Sequence, residues 1–224
     1  LFQPAYFSTT ETRLQHRAVY EYSLDMNSDE LITLAREQGA LLEGHFLLSS
    51  GLHSPAYFQC ARLLERPDIA SRLGSALADR ITVDNVDVTI APALGGILVA
   101  HEVARALGVR ALFAERDPST AGLVLRRGFS LQPGERALVL EDVVTTGKSL
   151  KETMQVVEVN GGQVVATGAL VDRNPGDLFL DVPFSAIARL DFPTYDPASC
   201  VLCQSGSQPV KPGSRPASKD GASS

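Results

Sequence analysis

The chain has 224 residues, of which 44% are hydrophobic, enough to bury one sizeable core. Its formal net charge of -6 argues against a nucleic-acid partner, and its apolar runs are too short and interrupted to span a bilayer. Three cysteines, Cys60, Cys200 and Cys203, are too few and odd in number for a secreted disulfide scaffold. With no signal-peptide pattern beside them, a reduced, cytoplasmic setting is expected.

Residues 1–25 show no clear period and begin with Leu1, so a tag, a leader or a mis-set start is expected there. "NSDELITLAREQG" then opens a helix over 28–38, with Asn27 or Ser28 as cap, Glu30 three residues after Asn27, and Gly39 as stop. "HFLL" and "AYFQC" are short strands around the turn "SSGLHSP" (49–55). A second helix starts near Pro67 and runs to about Arg80. "VDVTIAP" (86–92) reads as a buried strand, and "GGILVAHEVARALG" (95–108) as an amphipathic helix that stops at Gly108. "VRALFAE" is a strand, "DPSTAG" (117–122) a loop of Pro, Gly and small polar residues, and "LVLRRGFSL" a short hairpin.

"RALVLE" (136–141) is another buried strand, followed by a helix from about Lys148 to Asn160-Gly161-Gly162. "QVVATGALVDR" (163–173) and "FSAIARLDF" complete the strands. After about Gln204, Pro, Gly, Ser and Lys dominate, the pattern of a flexible tail. One domain over 26–203 is therefore expected, between the leader and a tail over 204–224. Strands alternating with helices imply βαβ units, hence an α/β fold with a mostly parallel sheet flanked by helices. Ligands of such folds gather at the carboxyl ends of strands. Three loops of unusual composition fall there: "PALGG", "EDVVTTGKS" and "DRN".

"LVLEDVVTTGKS" (138–149) ends like a nucleotide-binding P-loop, but Asp142 stands where that loop needs its first Gly. An acid there would repel a triphosphate. Backbone N–H groups at the following helix start, with the hydroxyls of Thr145, Thr146 and Ser149, suit one monophosphate. Glu141 and Asp142 can accept hydrogen bonds from a sugar diol beside it. A phosphate next to a diol is a ribose 5-phosphate; the bland alternative is an ordinary acidic strand-to-helix turn. Gly95 and Gly96 permit close backbone approach to a ligand, or else tight helix–strand packing. By itself Arg173 reads as a surface salt-bridge residue.

The stretch "VLEDVVTTGKS" resembles the phosphoribosyl-pyrophosphate (PRPP) signature of type I phosphoribosyltransferases, at every position. "GHFLLSSGLHSPAYFQC" (44–60), "APALGGI" (91–97), "FAERDPSTAGLVLRRGF" (113–129), "ALVDR" (169–173) and "CVLCQSGSQPVKPGSR" (200–215) resemble, in order, segments of orotate phosphoribosyltransferases. The resemblance covers about Asp29 to Arg215 and implies the type I fold with a small hood subdomain. It implies that Glu141 and Asp142 hold the ribose hydroxyls and that Val143, Val144, Thr145, Thr146, Gly147, Lys148 and Ser149 wrap the 5-phosphate. It assigns the pyrophosphate loop to Ala93, Leu94 and Gly95, and orotate contacts to Thr145 and to Arg173, whose guanidinium would capture the orotate carboxylate.

Two departures stand out. Many orotate enzymes carry Lys where this chain has Ser49, and a Lys- and His-rich mobile loop where it has "DPSTAG". Arg116 is the cation just before that loop, so it is the expected partner of the pyrophosphate, reaching the other subunit's site of a homodimer; Arg126 and Arg127 lie just after. The implied reaction joins orotate and PRPP, with Mg²⁺ on the pyrophosphate. No protein metal site is expected: Cys200 and Cys203 form one CxxC, but Cys60 and the histidines (His16, His45, His53, His101) offer no second pair at ligand spacing. The thiols are expected to be inert. A phosphoribosyltransferase for another base and a non-catalytic PRPP-sensing regulator stay open as alternatives.

Overall fold

The computed structural model describes residues 26–48 and 50–212. The expected leader, Ser49 and the end of the expected tail lie outside these residues. Helix α1 (Ser28–Glu37) starts on a complete capping box. Asn27 Oδ1 accepts from the Glu30 N–H and Glu30 Oε2 from the Asn27 N–H, each at 3.0 Å. Gly39, in the left-handed region at φ 63, turns the chain out of it. Strands β1 (Leu41–Leu47) and β2 (His53–Phe58) then pair antiparallel as a separate two-stranded sheet.

A short helix α2 (Ala61–Leu64), not anticipated from the sequence, leads into α3 (Pro67–Arg80), which begins at its proline as expected. Next come β3 (Val88–Pro92), α4 (Gly96–Leu107), β4 (Arg110–Arg116) and β5 (Leu123–Leu125). Then follow β6 (Arg136–Val144), α5 (Lys148–Val159), β7 (Gln163–Asp172) and β8 (Phe184–Arg189). A 3-10 turn (Pro197–Ser199) and a short helix α6 (Val201–Gln204) end the regular structure.

The main sheet has the order β5-β4-β3-β6-β7-β8, parallel except for the antiparallel edge pair β4–β5. Alternation along β6 explains why helices cover both faces. Leu138 and Leu140 join the core under α1, α3 and α4, whereas Ala137 and Val139 join the core under α5. The expected α/β class, mostly parallel sheet and small hood are what the chain forms.

Three expectations change in detail. The segment 123–131 is not a hairpin in itself: β5 pairs back onto β4 across the loop 117–122, with Arg116 opposite Leu123. Strand β6 runs on through Val144, because its partner β7 supplies a ladder as far as Asp172. Beyond Gln204 the described chain docks on the hood, where the Val210 N–H donates to His45 O at 2.8 Å and the Leu47 N–H to Val210 O at 2.9 Å.

Candidate active site

The carboxyl ends of β3, β6 and β7 bring the three singled-out loops together. A concavity is lined by Glu141 and by residues 143–149. Its floor is built by a left-handed Gly147 (φ 72, ψ 8), which reverses the chain so that α5 starts directly behind the loop. The positive φ strains any L side chain at Gly147, and a β-carbon there would also push on Leu178 Cδ2 at 2.8 Å. Thr145, Thr146 and Lys148 are exposed, and the Lys148 N–H donates weakly to Thr146 Oγ1 at 3.4 Å. The loop is braced from β7: Asn174 Nδ2 donates to Thr145 O at 2.7 Å and the Arg173 N–H to Val144 O at 2.7 Å.

The acid pair straddles β6, as strand alternation requires. Glu141 faces the concavity with the loop 143–149. Asp142 turns the other way, toward Gly95: a β-carbon at Gly95 would lie 2.7 Å from Asp142 Oδ2. The carboxyl of Glu141 is pushed up to about 8, first by burial, then by the charge of Asp142, with Arg116 pulling it back. Burial also raises Asp142, against the Val143 N–H that donates to its Oδ1 at 2.9 Å. Two carboxylates this short of partners are set to accept hydrogen bonds or a cation.

Ala93, Leu94 and Gly95 form the turn between β3 and α4, with a cis peptide at Ala93–Leu94 and Leu94 exposed. The two glycines divide the two readings. Gly96 packs helix on strand, since its β-carbon would lie 2.7 Å from Ala91 Cβ, whereas Gly95 lets the backbone approach the Asp142 carboxylate, which a β-carbon would meet at 2.7 Å.

Arg116 ends β4, near enough to Glu141 for its charge to act on that carboxyl. It donates to Ala121 O at 3.0 Å and stands 2.6 Å from Glu152 Oε2 on α5, an ion pair without hydrogen-bond alignment. Lys148 Nζ lies 3.8 Å from the other Glu152 oxygen. Glu152 was not singled out from the sequence, where only its i,i+4 spacing to Lys148 is visible. Arg127 is engaged elsewhere, pairing with Glu115 at 2.7 Å.

Arg173, just past β7, is half-buried. Its guanidinium carbon lies 4.8 Å from the Phe192 ring centroid, and its Nε is buried with no hydrogen-bond partner. Burial lowers its pKa, against a smaller opposing influence of Tyr57 on β2. Among the described residues Arg173 makes no salt bridge, so it is not the surface ion-pair residue its sequence position suggests. Cys60 is buried, its thiol raised by burial and by Asp142.

Residues 60–187 match the family model described as the phosphoribosyl transferase domain. The chain is 50% identical over 190 residues to an orotate phosphoribosyltransferase of Pelotomaculum thermopropionicum, a match covering 85% of this chain and 99% of that protein. A relative of the same name from Desulforamulus reducens is 50% identical over 85% of this chain and 98% of its own. Among solved structures, the orotate phosphoribosyltransferase of Aeropyrum pernix is 28% identical, with a TM-score of 0.59 over 71% of this chain and 93% of that one. The Mycobacterium tuberculosis enzyme in complex with inorganic phosphate is 25% identical, with a TM-score of 0.58 over 72% and 94%.

Proposed function

The chain belongs to the orotate phosphoribosyltransferase family, and on that premise we propose that it transfers ribose 5-phosphate from PRPP to orotate. The products are orotidine 5'-monophosphate and pyrophosphate, a step of pyrimidine nucleotide synthesis, carried out in the cytoplasm. The observation that carries the substrate is Arg173: a half-buried guanidinium with an unpaired Nε suits a carboxylate, which orotate has and uracil and adenine lack.

The loop 143–149 holds the 5-phosphate by its N–H groups and hydroxyls. Glu141 and Asp142 accept from the ribose hydroxyls and lay negative potential beside the ring carbon, which becomes positive as its bond to pyrophosphate breaks. Backbone at Ala93, Leu94 and Gly95 receives the pyrophosphate. Thr145 and Arg173 hold orotate in line with that carbon, lowering the entropic cost of the encounter. Arg116 exchanges Glu152 for the pyrophosphate when the loop 117–122 closes and excludes water. In the homodimer that the family resemblance implies, this arginine serves the partner's site.

Glu141 and Asp142 supply carboxylate oxygens, the donor type a hard cation takes, from the two faces of β6. Mg²⁺, held chiefly by substrate oxygens with these carboxylates beside it, would neutralise charge on the leaving pyrophosphate. The test is specificity in Arg173→Ala. Use of orotate should fall about 100-fold in kcat/KM, the loss of two charge-assisted hydrogen bonds of ~1.5 kcal/mol each. An unchanged preference for orotate over uracil would refute the assignment.

A further inference from the structure

We infer that His45, His53, Cys200 and Cys203 form a structural Zn²⁺ site that clamps the hood to the C-terminal segment. Their ligand atoms all lie within 4.8 Å of one another. His45 Nε2 lies 3.0 Å from His53 Nδ1, 3.6 Å from Cys200 Sγ and 3.9 Å from Cys203 Sγ; Cys203 Sγ lies 3.4 Å from His53 Nδ1. Tetrahedral zinc with its usual bond lengths sets nitrogen–nitrogen edges of about 3.3 Å and nitrogen–sulfur edges of about 3.6 Å. The cluster therefore has the size of a zinc coordination shell before any metal is added.

Its surroundings favour a metal over a chance meeting of polar groups. His45, His53 and Cys200 are 6%, 5% and 1% exposed, so three of the four donors are shielded from water, with Cys203 partly exposed at the edge. His45 Nδ1 lies 3.2 Å from Ser207 O, which accepts its proton and leaves the Nε2 lone pair pointing into the cluster. Two thiols and two imidazoles are a borderline-soft set, which selects zinc and excludes the hard Mg²⁺ of the transfer reaction. Four protein ligands close the shell and leave no position for substrate, so the role is structural.

The architecture explains the need. The hood is a two-stranded sheet, marginal by itself, and β1 turns several side chains to solvent. Its pairing register shifts between Glu43 and Phe46, a bulge spanning Gly44 and His45 opposite Pro55, which has no N–H to give. Among the described residues the C-terminal segment adds isolated bridges to this sheet, Val210 to Phe46 and Tyr195 to His53. A metal joining β1, β2 and the start of α6 supplies the cross-link that a larger apolar core would otherwise provide. Binding releases both thiol protons. Ligand spacing alone does not reveal the set, because 150 residues separate His53 from Cys203.

The test uses the full chain, purified with reductant, stripped with a chelator and reloaded with Co²⁺. The expected result is about one ion per chain, with tetrahedral visible bands and thiolate charge-transfer absorption that Zn²⁺ displaces. Cys200→Ser and Cys203→Ser should each weaken that absorption, whereas His101→Ala and Cys60→Ser should preserve it. The zinc-loaded chain should also unfold at a higher temperature than the stripped one. An octahedral spectrum, absent charge-transfer bands in the wild-type chain, or thiols that react equally fast with and without Zn²⁺ would overturn the inference.

Discussion

Gly95 and Asp142 meet so closely that a β-carbon on the first would lie 2.7 Å from Oδ2 of the second, joining the β3 and β6 loops into one site. The backbone of Gly95 is helical, at φ -57 and ψ -42, and accepts alanine. Gly95→Ala should therefore leave unfolding stability within about 1 kcal/mol of wild type while it displaces the carboxylate. We expect kcat/KM for PRPP to fall about 100-fold, as for loss of one positioned transition-state group. Gly96→Ala should do the reverse, costing roughly 1–3 kcal/mol of stability through overpacking against Ala91. Equal effects at both positions in either measurement would contradict this division.

The raised Glu141 carboxyl makes PRPP binding depend on pH. Unfolded, the group titrates near ~4.3, and folded at about 8, so the native chain holds a proton that the unfolded chain releases in between. Its contribution to stability is complete below the unfolded value and is lost as pH rises through the folded one. Only the ionised form accepts from a ribose hydroxyl without donating, so PRPP binding at neutral pH should expel a proton and tighten with rising pH. Calorimetry in buffers of different ionisation enthalpy measures that proton directly. Glu141→Gln should abolish its release; release unchanged in this variant would exclude Glu141 as the source.

Arg116 is tied to Glu152 at 2.6 Å and must leave it to reach a substrate. Arg116→Ala should lower kcat by about 100-fold, the size expected for one cation at a developing charge. Glu152→Gln removes the competing anion and should lower KM for PRPP.

Mixing inactive Arg116→Ala with inactive Asp142→Ala subunits tests which site the arginine serves. A shared site should restore about a quarter of wild-type activity through hybrid dimers of a symmetric homodimer. No recovery, with hybrid dimers demonstrated, would place Arg116 in the site of its own chain.

Contiguity decided how much was legible in the sequence. The loop 143–149, Glu141 and the strand that delivers them occupy one short run, and the structure gathers that run around one concavity, with Asp142 on the opposite face of the strand. The capping box at Asn27 and the left-handed Gly108 were equally plain, because both are local backbone requirements. The pairing of β5 with β4 was misjudged, since strand partners depend on a register that side-chain pattern alone does not specify. By its own residue pattern Arg173 looked like a surface residue, and only the family resemblance pointed elsewhere; its contact with Phe192 and its unpaired Nε appear in the fold alone. Cys200, Cys203, His45 and His53 were all weighed as metal ligands and set aside for want of a second pair at ligand spacing, because the hood draws the two halves of the cluster from distant parts of the chain.

The most direct test of the transfer reaction is loss of orotate absorbance on mixing purified protein with orotate, PRPP and Mg²⁺. Loss that requires both PRPP and Mg²⁺, stops with EDTA and yields one pyrophosphate per orotate consumed is the predicted result. Orotate left intact by a protein that still binds PRPP would contradict the account and point to another acceptor base or to a sensor without turnover.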